Sequence, residues 1–349
     1  GYLTLYANTT GASNTAVGVS ALQANTTASH NTAIGNRALT AATTGERNVA
    51  VGALALDADT TGDRSVAVGY GALSDQNFTG GEDTKNVAVG YQALTQNTTG
   101  VSNTGLGYQS LYANTTGEQN VAIGKDSLLA NTTASNNTAV GVEALKANTT
   151  GASVVAVGQG ALMANTTASN NTAVGNSAMT ANTTGDESVA VGKDAALVNT
   201  TGSQLTAVGK GALAANTTAS ANTAIGHQSL FYNTTGANNT AVGKESLKAN
   251  TTGTRNTAVG SLAADANTTA SNITAVGYMA LSANTTGADN TAVGKNALDV
   301  NTTGSQCVAV GVDALGAQVS GAHYNVAVGH SALKASTTAS NNTAVGISV

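Results

Sequence analysis

The stretch Asn14-Thr-Ala-Val-Gly18 decides the fold of this chain, because close copies of it recur almost to the C-terminus, as in Asn342-Thr-Ala-Val-Gly346. There are 20 copies, and 17 of the 19 intervals between their glycines are 17 residues long. The exceptions are Gly69 to Gly90, with 21 residues, and Gly311 to Gly329, with 18. A repeat this short, sustained over 349 residues, predicts a solenoid that grows along one axis.

Each repeat position is named here after its residue in the unit 14–30. The Thr15 position always carries Thr or Val, and the Val17 position carries Val, Ile or Leu. These residues are typical of strands, and alternation turns the Ala16 position to the opposite side. A second short strand is predicted around the Leu22 position, and an Asn-Thr-Thr-Gly or Asn-Thr-Thr-Ala-Ser turn follows it.

Two strands and two turns per repeat predict an all-β fold, a parallel β-solenoid or β-roll of about 20 coils stacked about 4.8 Å apart. We expect one continuous array over residues 1–349, interrupted at 74–86 and 316–325. Both ends fall inside a repeat, so the array is expected to continue beyond them.

Two side-chain ladders are expected along the array. The core ladder comprises large apolar residues, represented by Val17, Leu22, Ile34, Leu39, Val140 and Leu145. The tiny residues on the other side of the strand predict either a narrow lumen or a seam between chains, and the thin core favours the seam, because association would supply the missing burial. The seam residues are Ala16, Ala33, Ala50, Ala139 and Ala173.

The unit 14–30 resembles the head repeats of YadA-like trimeric autotransporter adhesins, and is still more similar to the Asn-Thr-Ala-Ile-Gly arrays of phage and bacterial tail-fibre-type proteins. The resemblance covers essentially the whole chain. It implies a left-handed β-roll, assembled as a homotrimer and working as a stiff extracellular shaft or an adhesive head. The 17-residue period is longer than that of the adhesin repeat, and no stalk heptads or membrane anchor are visible.

Two sets of residues are candidate ligand or modification sites. Tyr70, Tyr91 and Tyr108 follow the glycine in successive coils, so they should form a column that could stack against sugars; the alternative is that they only pack on one another. The recurring Asn-Thr-Thr triplets, as at Asn25, Asn114 and Asn148, are formal N-glycosylation sequons. The alternative here is turn chemistry with a hydrogen-bonded asparagine ladder.

Composition argues against most other classes of function. Aromatic residues make up 3% and charged residues 9% of the chain, and the net charge is −5 without a basic stripe, which disfavours nucleic acid as a partner. No apolar run is long enough to cross a bilayer. No phosphate loop, zinc spacing or catalytic constellation is visible, so we expect no cofactor, no metal and no enzymatic activity.

The repeat predicts a structural protein, and the resemblance implies an extracellular fibre shaft of a phage tail or a bacterial surface, with copies of itself as the main partner. Two alternatives remain open: a filament subunit that joins end to end, and a binding module. The binding module would be a glycan-binding adhesin or, because threonine recurs regularly, an ice-binding solenoid.

Overall fold

A computed structural model describes residues 1–319 and 321–349 and divides into two compact units, Gly1–Asn171 and Thr172–Val349. Each unit is a parallel β-solenoid built from three-residue strands and turns. The predicted all-β class and 17-residue coil are confirmed within each unit. Ser320, in the predicted interruption at 316–325, lies outside the described residues.

The strands all coincide with copies of the Asn-Thr-Ala-Val-Gly motif. Those of the first unit are β1 (Thr15–Val17), β2 (Thr32–Ile34), β3 (Val49–Val51), β4 (Val66–Val68), β5 (Val87–Val89), β6 (Thr104–Leu106), β7 (Val121–Ile123), β8 (Thr138–Val140) and β9 (Val155–Val157). Those of the second unit are β10 (Thr172–Val174), β11 (Val189–Val191), β12 (Thr206–Val208), β13 (Thr223–Ile225), β14 (Thr240–Val242), β15 (Thr257–Val259), β16 (Thr274–Val276), β17 (Thr291–Val293), β18 (Val308–Val310), β19 (Val326–Val328) and β20 (Thr343–Val345).

Within each unit every strand pairs in parallel with the next strand along the chain, and like positions face one another, as in Ala33 with Ala50. The two intervals that are longer than 17 residues preserve this alignment, since Ala67 pairs with Ala88 in the first unit and Ala309 pairs with Ala327 in the second. The extra residues are therefore accommodated between strands. In-register pairing stacks each repeat position into a column along the unit.

The interior of a coil is very narrow. The Ala16 position carries a glycine once, at Gly105, where an added Cβ would lie 3.2 Å from Leu94 Cδ1 and 3.0 Å from Ser110 Oγ. Contacts of this length are tighter than ordinary van der Waals packing. Only the smallest side chains can therefore point inward from the strand.

The predicted alanine seam is wrong, because these methyl groups lie inside their own coil. Ala33, Ala50, Ala139 and Ala173 have no exposed surface, and Ala16, in the first strand, is half-buried. The alternative that the sequence left open, a narrow lumen lined by alanine, is the arrangement observed.

The predicted core ladder is half right. Leu22, Leu39 and Leu145 are completely buried. Val17 and Ile34 are 57% and 40% exposed, and Val140 is half-buried. The strand is thus turned over relative to the prediction, because the lumen admits Ala and the β-branched residues must face outward.

The predicted second strand is also wrong. The segment after the repeat glycine forms turns, and it contains residues in the left-handed region, such as Ser20 (φ 57°) and Leu22 (φ 52°). This conformation costs a residue with a side chain about 1–2 kcal/mol. The complete burial of Leu22 and its backbone N–H···O bond to Ala38 (3.1 Å) offset that cost.

Truncating a lumen leucine should destabilise the solenoid much more than truncating an outward residue. We expect Leu39→Ala to lower the free energy of unfolding by about 2–5 kcal/mol, because it removes fully buried methyl groups and leaves a cavity. Val19→Ala, which truncates a 45% exposed side chain, should change it by less than about 0.5 kcal/mol. Denaturant melts of the two variants test this, and equal losses would contradict the assignment of the lumen.

Candidate functional site

The outward strand face is a continuous uncharged surface on each unit. It is defined by the Thr15 and Val17 positions of all the strands in that unit. In the first unit these positions carry only Thr, Val, Ile and Leu, and Val17, Ile34, Leu106 and Ile123 are among the exposed large apolar side chains. No charged residue occurs on the face in either unit.

The size of the face can be judged from strand geometry. Three residues span about 10 Å along a strand, and nine strands span about 40 Å across the first unit, which makes about 400 Å² of surface. The largest apolar patch of a typical monomer is of this size and often functional. The outward strand face is therefore the main candidate for an interaction surface.

Two asparagine ladders hold neighbouring coils together on the other sides of the lumen. At the Asn25 position, Asn114 Nδ2 donates to Asn97 Oδ1 (2.8 Å) and to the Gly117 carbonyl of its own turn (3.0 Å). At the Asn31 position, the backbone N–H of Asn103 donates to Asn86 Oδ1 (2.8 Å). Both ladders are largely buried, and their amides form hydrogen bonds within the protein wherever the ladder is regular.

N-glycosylation of the folded chain at Asn25, Asn114 and Asn148 is contradicted by these contacts. None of the three side chains has exposed surface. The Nδ2 atom that would carry the sugar donates two hydrogen bonds in each case. The asparagine ladder that the sequence analysis gave as the alternative is observed instead.

The Asn25 ladder is broken near the first interruption. Ala42 and Asp59 replace asparagine in consecutive coils, and the Oδ1 atom of Asn25 has no hydrogen-bond partner among the described residues. The Asp59 carboxylate is 1% exposed. It accepts hydrogen bonds from Gln76 Nε2 (2.8 Å) and from the backbone N–H of Phe78 (3.0 Å). Burial raises the pKa of Asp59, against the opposing effect of these hydrogen bonds.

Both interruptions carry a glutamine at the Asn25 position. Asn86 Nδ2 donates to Gln76 Oε1 (2.8 Å) in the first unit, and Asn325 Nδ2 donates to Gln318 Oε1 (2.9 Å) in the second. The longer side chain joins the two ladders across the altered turn. Sequence reasoning missed this role, although a glutamine in an asparagine column at each irregular interval was a visible signal.

Tyr70, Tyr91 and Tyr108 form the predicted column. Their ring centroids are 5.5 Å and 5.3 Å apart, and the ring planes are within 13° of parallel. Each ring is about half exposed, but the inner ring faces cover one another. This geometry fits mutual packing, the alternative interpretation, better than stacking against a sugar, which needs a free ring face.

The loop 74–86 is anchored to the solenoid. Phe78 is 5% exposed, and the Asp83 carboxylate forms ion pairs with Lys85 and Arg64. Hydrogen bonds from those two cations lower the pKa of Asp83. The loop presents residues 79–82 to solvent.

Over residues 1–319 and 321–349, no three His, Cys, Asp or Glu side chains gather in a way that could hold a metal ion. The same residues contain no helix long and apolar enough to cross a membrane. No protein-family model matches the chain, and no curated protein is similar to it in sequence.

Restoring asparagine at both broken positions should be more favourable than the sum of the single changes. Ala42→Asn alone would introduce an amide whose Oδ1 faces the acceptor-only carboxylate of Asp59, whereas adding Asp59→Asn would offer that oxygen an N–H. We expect Ala42→Asn and Asp59→Asn to couple favourably by about 0.5–3 kcal/mol in a double-mutant cycle of unfolding free energies. Additive effects would show that the ladder is not continuous through this site.

The raised pKa of Asp59 should make the free energy of unfolding depend on pH. Its folded-state pKa lies above the ordinary value of 3.8, so the folded chain binds more protons there than the unfolded chain. This contribution to stability is present below pH 3.8 and is lost as the pH rises through the folded pKa. We expect Asp59→Asn to remove that decline when unfolding free energies of variant and wild type are compared across the window. Parallel pH profiles would contradict it.

Proposed function

We propose that this chain is a structural repeat protein, the shaft of an extracellular fibre of a phage tail or a bacterial surface. Its copies associate side by side, as a homotrimer, through the outward strand face. The observation that carries the proposal is the uncharged, β-branched surface that follows the strands of each unit. Surfaces of this kind mark interaction sites more often than solvated faces.

The stiffness that a shaft requires is supported by bonding on several sides of each coil. Strand pairs join neighbouring coils in register, as in Ala122 with Ala139. The turns add hydrogen bonds between coils, such as Leu128 N to Ala144 O (3.0 Å). Asparagine ladders add side-chain bonds, such as Asn131 Nδ2 to Asn114 Oδ1 (2.8 Å). Bending a unit would strain several of these bonds at once.

The partner that best complements the outward strand face is the same face of another copy. Its columns repeat at the strand spacing of about 4.8 Å, so the ridges of one copy match the grooves of another along the unit. It carries no charge that would repel an identical surface. Most coils bury small side chains and a single leucine, so association would add apolar burial that a single chain lacks.

The resemblance of the repeat to trimeric adhesin heads and tail-fibre arrays supports the extracellular location and the number of chains. The seam proposed here differs from the one expected from sequence, because it uses the Val17 position and not the Ala16 position. The asparagine, threonine and glycine columns then serve to build the coil.

Charges placed on the outward strand face should dissociate the assembly. We expect the wild-type chain to sediment with the mass of three copies, and a variant carrying Ile123→Lys and Val140→Lys to sediment as one copy, because buried unpaired ammonium groups are costly. Sedimentation velocity measures the mass, and circular dichroism checks that the variant retains its strands.

Val142→Lys is the matched control, since Val142 is 42% exposed and lies two residues beyond β8. It should leave the mass unchanged. A wild-type chain that is monomeric, or a double variant that keeps its mass, would overturn the proposal. A mass that grows steadily with concentration would support end-to-end joining instead.

A further inference from the structure

One segment of the second unit differs in charge from the rest of the chain. Residues 193–248 contain four lysines, two carboxylates and His227, whereas the whole chain has a net charge of −5. The positive excess is therefore local. It lies on four successive coils of the second unit.

Three of these lysines and His227 form a column at the position after the repeat glycine. In-register backbone bonds stack these residues, since Gly211 N donates to Lys193 O (3.0 Å) and Gln228 N donates to Lys210 O (3.0 Å). Neighbouring members are therefore about one strand spacing, about 4.8 Å, apart at the backbone. The members of the column are Lys193, Lys210, His227 and Lys244, and all four side chains are exposed.

The two ends of the column are neutralised. Lys193 lies 3.8 Å from Asp194. Glu245 is shared between Lys244 (3.5 Å) and Lys248 (3.2 Å). These exposed pairs use the carboxylates of the segment and leave little negative charge for the centre.

The centre of the column lacks such partners. Gly211 follows Lys210 and Gln228 follows His227, so neither has an acidic neighbour at the next position. Among the described residues no carboxylate forms an ion pair with Lys210. Lys210 and His227 thus occupy neighbouring positions of the column, and the part of the chain that the structure describes offers no ion-pair partner for the Lys210 ammonium.

An aromatic pair lies against this centre. Phe231 and Tyr232 form an edge-to-face pair with centroids 4.8 Å apart and planes at 84°. A Cβ added to Gly211 would lie 3.2 Å from Phe231 Cε2, so the ring packs against the residue that follows Lys210. The absence of a side chain at Gly211 lets the Phe231 ring lie against the backbone next to Lys210.

The Tyr232 ring has small neighbours along its own column. It is 51% exposed, and the same position on the two neighbouring coils carries Ala215 and Ala249. Small side chains on both sides leave ring surface uncovered, whereas the rings of Tyr70, Tyr91 and Tyr108 cover one another.

We propose that Lys210, His227, Phe231 and Tyr232, arranged around Gly211, bind an acidic saccharide. A sugar has an apolar face that suits an amphipathic aromatic ring, and its carboxylate would pair with the Lys210 ammonium and accept a hydrogen bond from the His227 ring. A nucleic acid is a poorer fit, since its backbone charge calls for an extended basic surface and this chain is acidic overall. The site does not depend on how the copies assemble.

The test is isothermal titration of the full chain with trigalacturonate and with its fully methyl-esterified form. The esters keep the sugar but remove the charge. We expect trigalacturonate to bind and the ester to bind about tenfold more weakly. Lys210→Gln and Tyr232→Ala should each weaken binding of the acid by a similar factor, while circular dichroism remains that of the wild type.

Tyr278 and Lys295 provide the matched control. Both follow the repeat glycine, like Lys210, on adjacent coils of the second unit, and neither is next to Phe231. Tyr278→Ala and Lys295→Gln should leave the affinity unchanged. Absence of trigalacturonate binding, equal binding of acid and ester, or equal losses from the control variants would overturn the proposal. Tighter binding of a single-stranded oligothymidylate would do so too.

Discussion

The close approach of the coil walls at the Ala16 position is the constraint on which the rest of the structure depends. Because only a methyl group fits there, the strand must turn its β-branched residues outward, and in most coils the large buried apolar side chain comes from a turn. That side chain is a leucine held in the left-handed region, as at Leu22 (φ 52°). The narrow lumen thus explains the exposed strand face, the strained turns and the reliance on side-chain amides.

The asparagine ladders compensate for the small apolar core. A lumen lined mainly by alanine and leucine buries little apolar surface in each coil, so hydrogen bonds between coils are an important part of the cohesion. These amides are shielded from water, where an unpaired group is costly, and each regular coil satisfies the coil beside it. The break at Ala42 shows the converse, because the Oδ1 atom of Asn25 is left without a partner among the described residues.

The period of the sequence was sufficient to predict the class, the length of the coil and the in-register pairing, because 17-residue spacing leaves few other ways to align identical residues. It was not sufficient to tell which side of the strand faces inward. Hydrophobicity places Val17 inside, whereas the width of the lumen places Ala16 there, and that width depends on the turns. Left-handed leucines were unpredictable, since propensity disfavours them. The basic and aromatic cluster was missed because Lys210 and Phe231 are 21 positions apart and only the coil brings them together.

The self-matching coil has a consequence for how such a chain changes in evolution. Each regular coil donates to an acceptor on the coil before it and provides the same acceptor to the coil after it. Asn114, for example, donates to Asn97 and accepts from Asn131. A whole repeat can therefore be duplicated or deleted without altering the bonding of the others, whereas a change of a few residues has to be taken up within one coil, as it is between Ala67 and Ala88 and between Ala309 and Ala327. The number of repeats then acts as a molecular ruler, and recombination between repeats adjusts length in steps of one coil. Exposed positions such as Lys210 and Tyr232 can diversify within that fixed frame.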